Sequence, residues 1–279
     1  MGSETTDNLP IIEFSTLDIK AGTPEWNSVK SQVRKAVEEY GCFEALFEEF
    51  PLQPPPEAIV NALKELFDLP LETKMREVSQ KPLHGYCGQW PEVPLYESMG
   101  FEEPISMHMV EKVTNILWPE GNPSFSKTIH SFSKKLSELD HMIRRMVAES
   151  MGLEKYLEDL NNSKSYLLRV NKYEGPLTSE KMVGLMAHTD KGLVTVLYQF
   201  QVDGFEVQTQ EGHWITANPS PSSFLVVTGE ALRTWTSGRV HAVCHRVMMS
   251  GNRTRYAAGL FAVAKTGCVI TAPEEQAGK

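Results

Sequence analysis

An α+β fold that is mainly β, a jelly roll or barrel with N-terminal and flanking helices, is predicted by two features of this 279-residue sequence. After Ser163 the chain breaks into eight short apolar runs with turn residues between them, the grammar of a sandwich or barrel. Before Ser163, apolar residues recur at spacings of three and four, the mark of amphipathic helices. The length suits one large or two ordinary domains. A single domain is expected over 1–279, with a helical part at 1–163 and a jelly-roll core at 164–279.

Leu9 to Phe14 alternates well enough for a first strand. Thr23 then offers an N-cap with Pro24 at the first helical position, and Trp26, Val29, Val33, Val37 and Tyr40 form one helical face that Gly41 stops. Cys42 to Phe47 reads as the next strand. Three prolines, Pro54 to Pro56, precede a second amphipathic helix from Glu57 to Phe67, with Ile59, Leu63 and Leu66 inward. Pro82 to Pro119 reads as irregular, its aromatics and methionines scattered among prolines and glycines. Tyr86, Trp90, Tyr96, Met107 and Met109 in it are candidate pocket residues and equally ordinary packing residues. Ser124 to Met151 is the longest helical stretch, with Phe125, Ile129, Phe132, Leu136, Leu139, Ile143 and Met146 on one face; His130 and His141 within it have no acid at ligand spacing and read as non-catalytic. The expected strands are Tyr166 to Tyr173, Leu185 to His188, Val194 to Phe200, Phe205 to Thr209, His213 to Thr216, Phe224 to Thr228, Val240 to Met248 and Arg255 to Val263.

With 27 basic against 36 acidic residues, the formal charge of -9 argues against nucleic-acid binding and against a polybasic membrane patch. Four cysteines without paired spacing point to a reducing, cytoplasmic setting. No apolar run reaches membrane-spanning length and the N-terminus has no signal core. Met1-Gly2-Ser3-Glu4-Thr5-Thr6 fits an acylation pattern, yet without basic neighbours one acyl chain anchors only marginally, so a solvated tail is expected.

The chemistry concentrates in G-L-M-A-H-T-D-K-G-L-V-T-V-L, Gly184 to Leu197. In an extended chain His188 and Asp190 project from one face and can grip one ion; by themselves they also suit a solvated strand end. His245, fifty-five residues beyond Asp190, completes two imidazoles and one carboxylate, the facial set that non-haem Fe(II) oxygenases use. Ten residues after His245, Arg255 opens R-Y-A-A-G-L-F-A-V with Ala257 on its strand face. An arginine in so apolar a run needs a partner, either a glutamate of the chain or a ligand carboxylate.

H-T-D, then H-R-V, then an arginine ten residues past the distal histidine resembles the signature of plant 2-oxoglutarate- and Fe(II)-dependent dioxygenases. Asn171 and Tyr173 in R-V-N-K-Y-E-G-P match that family's N-x-Y, and L-P-I-I-E-F its first strand. Y-G-C-F-E-A-L-F, K-P-L-H-G-Y, N-I-L-W-P-E-G-N-P and V-D-G-F-E-V-Q-T resemble the AOP-like branch, named for alkenyl- and hydroxyalkyl-producing enzymes. The resemblance implies a double-stranded β-helix with helices packed outside. It also implies Fe(II) on His188, Asp190 and His245, and 2-oxoglutarate held by Arg255, Tyr173 and Asn171 near Ala257, with dioxygen as oxidant and ascorbate as reductant. The implied reaction is hydroxylation, demethylation or desaturation of a small plant specialised metabolite with release of succinate and carbon dioxide, by a monomer. Two departures stand out. Ala257 replaces the serine of the family's R-x-S, which predicts weaker 2-oxoglutarate binding, and relatives continue well beyond A-P-E-E, which implies a shortened C-terminal segment here. These departures leave a catalytically impaired ligand-binding fold member as the alternative. A Zn(II) hydrolase is a third reading, less suited to Arg255 and Tyr173 and without an obvious general base.

Overall fold

Thr23 caps the first long helix as its sequence predicts: its hydroxyl accepts from the Trp26 backbone N–H at 3.2 Å, with Pro24 opening the helix. The computed structural model describes residues 8–15, 19–47, 52–77, 79, 81, 83–177 and 180–273. The acylation pattern at 1–6 and the tail from 274 onward lie outside the described residues. In chain order the N-terminal part comprises β1 (Ile11–Phe14), α1 (Pro24–Glu39), β2 (Cys42–Phe47), α2 (Pro56–Phe67) and the short α3 (Leu71–Lys74). It continues through β3 (Gly85–Gly88), β4 (Tyr96–Glu102), α4 (Met107–Leu117), α5 (Pro123–Ser150), a 3-10 turn at Glu154–Tyr156 and α6 (Leu157–Asn162). The strands that follow are β5 (Lys164–Tyr173), β6 (Met182–His188), β7 (Val194–Gln199), β8 (Phe205–Gln208), β9 (Trp214–Thr216) and β10 (Ser223–Thr228). Helix α7 (Glu230–Trp235), β11 (His245–Met249) and β12 (Arg255–Ala264) complete the set.

Gly41 ends α1 with φ +67°, and a Cβ there would lie 2.3 Å from the His241 carbonyl oxygen, so no other residue fits. Helix α5 is capped by Asn122, whose side chain accepts from the Phe125 N–H at 3.1 Å, and it buries all seven residues of the expected face. It lies against β7 and β12, with α1, α2 and α4 packed beside it. Its buried Arg144 is neutralised four residues back by Asp140, Nη2 to Oδ2 at 2.8 Å, and Tyr166 donates to the same carboxylate. That is the usual requirement for a buried cation.

The strands form two sheets, β1-β2-β10-β7-β12-β5-β4-β3 and β6-β11-β8-β9, which do not close into a barrel; the jelly roll is the better of the two expectations. Helices cover one face of the large sheet. Its other face meets the small sheet across Tyr173, Leu197, Phe205, Val227, Val247 and Ala257. Among the described residues no helix is long and apolar enough to cross a membrane.

Two expectations need correction. The strand expected from Val240 begins only at His245, because the backbone of His241 is already engaged: its N–H donates to Val37 O and its carbonyl accepts from the Thr228 hydroxyl. The stretch from Pro82 to Pro119, expected to be irregular, contains β3, β4 and α4, and β4 pairs along its length with β5.

Candidate functional site

His188 closes β6 and His245 opens β11, and these neighbouring antiparallel strands place the two residues directly opposite each other. Their imidazole centroids are 4.3 Å apart. Asp190 follows β6 in a turn pinned from the far side, where the Glu230 N–H at the start of α7 donates to its carbonyl at 2.8 Å. A Cβ on Gly229 would meet that same carbonyl oxygen at 2.8 Å, so glycine is what lets α7 approach.

The Asp190 carboxylate is divided between two tasks. Oδ2 accepts from the Thr195 hydroxyl at 2.5 Å, and Oδ1 faces His188 Nε2 at 3.8 Å and His245 Nε2 at 3.7 Å. Each Nδ1 sits at a backbone carbonyl, Met186 O at 2.8 Å and Val243 O at 3.3 Å. A carbonyl only accepts, so each Nδ1 carries the proton and each Nε2 turns its lone pair inward. Burial holds the His245 imidazole below its usual pKa; Asp190 opposes this and His188 reinforces it. A neutral ring is the form that ligates a metal. One ligand atom from each of the three residues lies within 4.8 Å of the others, a group that could hold a metal ion. His188 is the open member, its side chain 39% exposed against 7% for His245.

These three line a cavity of about 680 Å³ together with Arg255, Tyr173, Asn171 and Ala257, so the structure gathers all seven residues singled out from the sequence. Strand pairing explains the second group. Arg255 lies opposite Tyr173 and Ala257 opposite Asn171 between β12 and β5, and Ala257 also faces Gln199 of β7. Arg255 is 1% exposed. Its Nη2 donates to Gln199 Oε1, its guanidinium lies 5.0 Å from the Tyr173 ring centroid, and Nε and Nη1 are buried with no hydrogen-bond partner. Burial pulls its pKa down, opposed by Tyr173 and Asp203. Burial pushes the Tyr173 hydroxyl up, keeping it a neutral donor. Two unmatched donors of a buried cation fit a ligand carboxylate, and the neutral-imidazole and carboxylate donors fit a divalent metal.

Sequence reasoning missed Thr195 and Gln199. Both alternate with Leu197 on one face of β7, where Thr195 and Leu197 line the cavity and Gln199 reaches Arg255 behind it, and polar residues at inward positions of an otherwise apolar strand were the available signal. Gln199 also accepts from the Phe205 N–H and donates to Ala217 O, so its oxygen is fixed before it meets Arg255. Of the scattered pocket candidates, Trp90 and Tyr96 line the cavity. Tyr86 instead donates to Glu97 at 3.0 Å, and Met107 and Met109 belong to α4. His130 and His141 belong to α5 and take no part in the triad. Thr195→Val should weaken metal binding by about 10–100-fold by freeing the Asp190 carboxylate to rotate. Anaerobic Fe(II) titration checks this, and unchanged affinity would remove Thr195 from any orienting role.

Two family models match the chain: the 2OG-Fe(II) oxygenase superfamily over residues 164–264, and the non-haem dioxygenase in morphine synthesis N-terminal region over residues 9–94. A probable 2-oxoglutarate-dependent dioxygenase, AOP1.2 of Arabidopsis thaliana, is 45% identical over 278 residues, covering 97% of this chain and 85% of its own. The 2-oxoglutarate-dependent dioxygenase AOP3 of the same plant is 31% identical over 372 aligned positions, covering 99% and 89%. Among solved structures, the dioxygenase for auxin oxidation of rice superposes with a TM-score of 0.79 at 27% identity over 96% of this chain and 87% of that one. Its Arabidopsis counterpart, in binary complex with 2-oxoglutarate, gives a TM-score of 0.83 over 96% and 97%; at 24% identity this is a likeness of fold.

Proposed function

The chain belongs to the 2-oxoglutarate- and Fe(II)-dependent oxygenase superfamily, in its AOP-like branch, and from that premise we propose the residues that serve the reaction and its kind of substrate. It is a 2-oxoglutarate-dependent dioxygenase whose cofactors are Fe(II) and 2-oxoglutarate, rather than an inactive fold member. His188, Asp190 and His245 hold the iron; Arg255 holds the distal carboxylate of 2-oxoglutarate, with Tyr173 and Asn171 in support and Ala257 beside it. The observation that carries this assignment is the pair of unpartnered Arg255 donors in the cavity that the triad lines.

When bound, Fe(II) and 2-oxoglutarate supply the oxidising power, dioxygen being consumed as 2-oxoglutarate becomes succinate and carbon dioxide. The protein's own contribution is placement. Arg255, kept from rotating by Gln199 at Nη2, keeps the N–H donors of Nε and Nη1 for a carboxylate. The Nδ1 bonds to Met186 and Val243 keep both Nε2 atoms available. Leu197, Phe205, Val227 and Val247 exclude water from the interior side of the cavity, so that oxidation is directed at the substrate. The substrate is a small molecule, which we take to be a plant specialised metabolite whose pose selects hydroxylation, demethylation or desaturation.

Succinate formation from 2-oxoglutarate by the purified protein, with Fe(II) and with ascorbate as reductant, tests the assignment. It should vanish when Fe(II) is withheld, and formation that persists in the triad variants would overturn it. We further infer one catalytic unit in which the helical part at 1–163 buttresses the core at 164–279, a reading that the packing of α5 on β7 and β12 supports. We also infer a cytoplasmic monomer with neither nucleic acid nor membrane as partner. The net charge of -9 disfavours polyanions, and the four cysteines are free thiols, which suits a reducing compartment.

A further inference from the structure

Strand β4, where the sequence reads as irregular, gives the cavity wall a second row of polar groups. It pairs with β5 so that Tyr96 lies opposite Tyr173, Ser98 opposite Asn171 and Gly100 opposite Arg169. Tyr96 and Ser98 share a strand face, and each reaches diagonally along β5, a contact open to long side chains on paired strands. The Arg169 guanidinium donates to Leu83 O, to the Ser98 hydroxyl and, from Nη2, to the Tyr96 hydroxyl at 2.8 Å, with the Cys87 thiol also in hydrogen-bond contact. The Tyr96 hydroxyl in turn donates to Asn171 Oδ1 at 3.1 Å. Tyr96, Ser98, Arg169 and Asn171 are all buried.

The guanidinium sets the direction of this chain of bonds. It can only donate, so the Tyr96 oxygen accepts from Arg169 and directs its single proton at the next member. That member must accept, which decides how the Asn171 carboxamide is turned: oxygen toward Tyr96, nitrogen away. One Nδ2 hydrogen points at Arg169 O at 3.5 Å, the outer limit of a hydrogen bond, and the other is left for the cavity that Asn171 lines. Asn171 stands opposite Ala257, two residues from Arg255 on the same strand face, so it borders the end of the cavity where two Arg255 donors also lack partners. Turned the other way, the carboxamide would present an acceptor there and repel a carboxylate.

We propose that Tyr96, polarised by Arg169, is a positioning residue for the co-substrate: it turns the Asn171 carboxamide so that an N–H, not a carbonyl, faces the carboxylate held by Arg255. This rests on the 2-oxoglutarate reading, because that reading puts an anion at Arg255. Arg169 and Tyr96 touch no ligand in this role and act through Asn171 alone. A Tyr96 that only filled space would lose its hydroxyl without consequence for 2-oxoglutarate.

Tyr96→Phe keeps the ring and its 5.2 Å contact with the Tyr173 ring and removes only the hydroxyl. Anaerobic calorimetry on full-length protein loaded with Fe(II) should show 2-oxoglutarate affinity falling by about two- to tenfold. The lower figure holds if the freed carboxamide takes both orientations equally, the upper if its hydrogen bond to the charged carboxylate is lost. Fe(II) affinity should not change. In an Asn171→Ala background Tyr96→Phe should cost no further 2-oxoglutarate affinity, whereas a hydroxyl acting independently of Asn171 gives the same loss in both backgrounds. Asn171→Asp, which when ionised presents only acceptors, should bind 2-oxoglutarate more weakly than Asn171→Ala. Unchanged affinity in Tyr96→Phe, additive losses in the double variant, or Asn171→Asp binding no worse than Asn171→Ala each overturns the proposal. Failure of wild-type protein to bind 2-oxoglutarate would instead sink the reading beneath, and NMR of the metal-free protein then decides the orienting role of Tyr96 separately. The Asn171 side-chain amide pair, identified by its loss in Asn171→Ala, should be sharp in the wild type and broadened or doubled in Tyr96→Phe; a pair equally sharp in both removes the hydroxyl from that role.

Discussion

Replacing His245 by alanine should abolish tight Fe(II) binding and, with it, 2-oxoglutarate-dependent succinate formation. The imidazole is the buried one of the two, tilted 31° to the Phe205 ring at 5.1 Å and held by Val243 O, so its Nε2 is positioned in advance. Removing a partner of a ligand costs about 10–100-fold in affinity, and removing a ligand itself costs more. His188 and Asp190, the first of them open to the cavity, are left to hold a labile divalent ion. Anaerobic titration with a colorimetric chelator reads the loss, and thermal unfolding of the metal-free protein verifies that the variant still folds. Retained iron with full succinate formation would exclude this triad. Asp190→Gly should be milder for binding, since another anion can enter the opening, yet should still abolish hydroxylation; undiminished hydroxylation counts against the assignment.

The second large effect belongs to Arg255→Met, which should lower 2-oxoglutarate affinity by about 100-fold or more, while Fe(II) affinity stays within error. Each hydrogen bond to a charged group is worth about 1.5–3 kcal/mol, so losing two of them reaches this range. The sign of the stability change is less intuitive. In the ligand-free protein Arg255 carries two buried unsatisfied donors, and a methionine of similar volume relieves their desolvation. The apo variant should therefore melt at or above the wild-type temperature even as it loses its co-substrate. A fall of several degrees together with intact 2-oxoglutarate binding would show that Arg255 is structural. In the same calorimetric series Ala257→Ser should tighten 2-oxoglutarate by about tenfold at most, the low end for one added donor to a charged group. Ala257 lies between Asn171 and Gln199 in register, so a hydroxyl there is placed among polar neighbours. No gain would mean that Arg255 and Tyr173 suffice.

By itself the sequence determined whatever depends on local periodicity or on a short spacing. The faces of α1, α2 and α5 are set by residues three and four apart, and Thr23, Pro24 and Gly41 mark their ends by steric and capping rules that operate within a few residues. His188 and Asp190 lie within one turn of chain, and the distal histidine and arginine follow at family spacings, so the seven residues that line the cavity together were marked by the sequence alone. Only the tertiary structure decided what depends on pairing across long separations. Strand β4 exists as a partner of β5 some seventy residues away, and Gly100 within it and the prolines that flank it, Pro94 and Pro104, hide it. The backbone at His241 is claimed by α1 and Thr228, contacts that no local pattern announces, so β11 starts late. The meeting of His188 with His245 is a matter of register, as is that of Arg255 with Tyr173. The roles of Thr195 and Gln199 were invisible for the same reason: a polar side chain in an apolar strand acquires meaning only from what stands opposite it once two sheets have closed around it, where an unmatched polar group is costly and a matched one holds its neighbour in place.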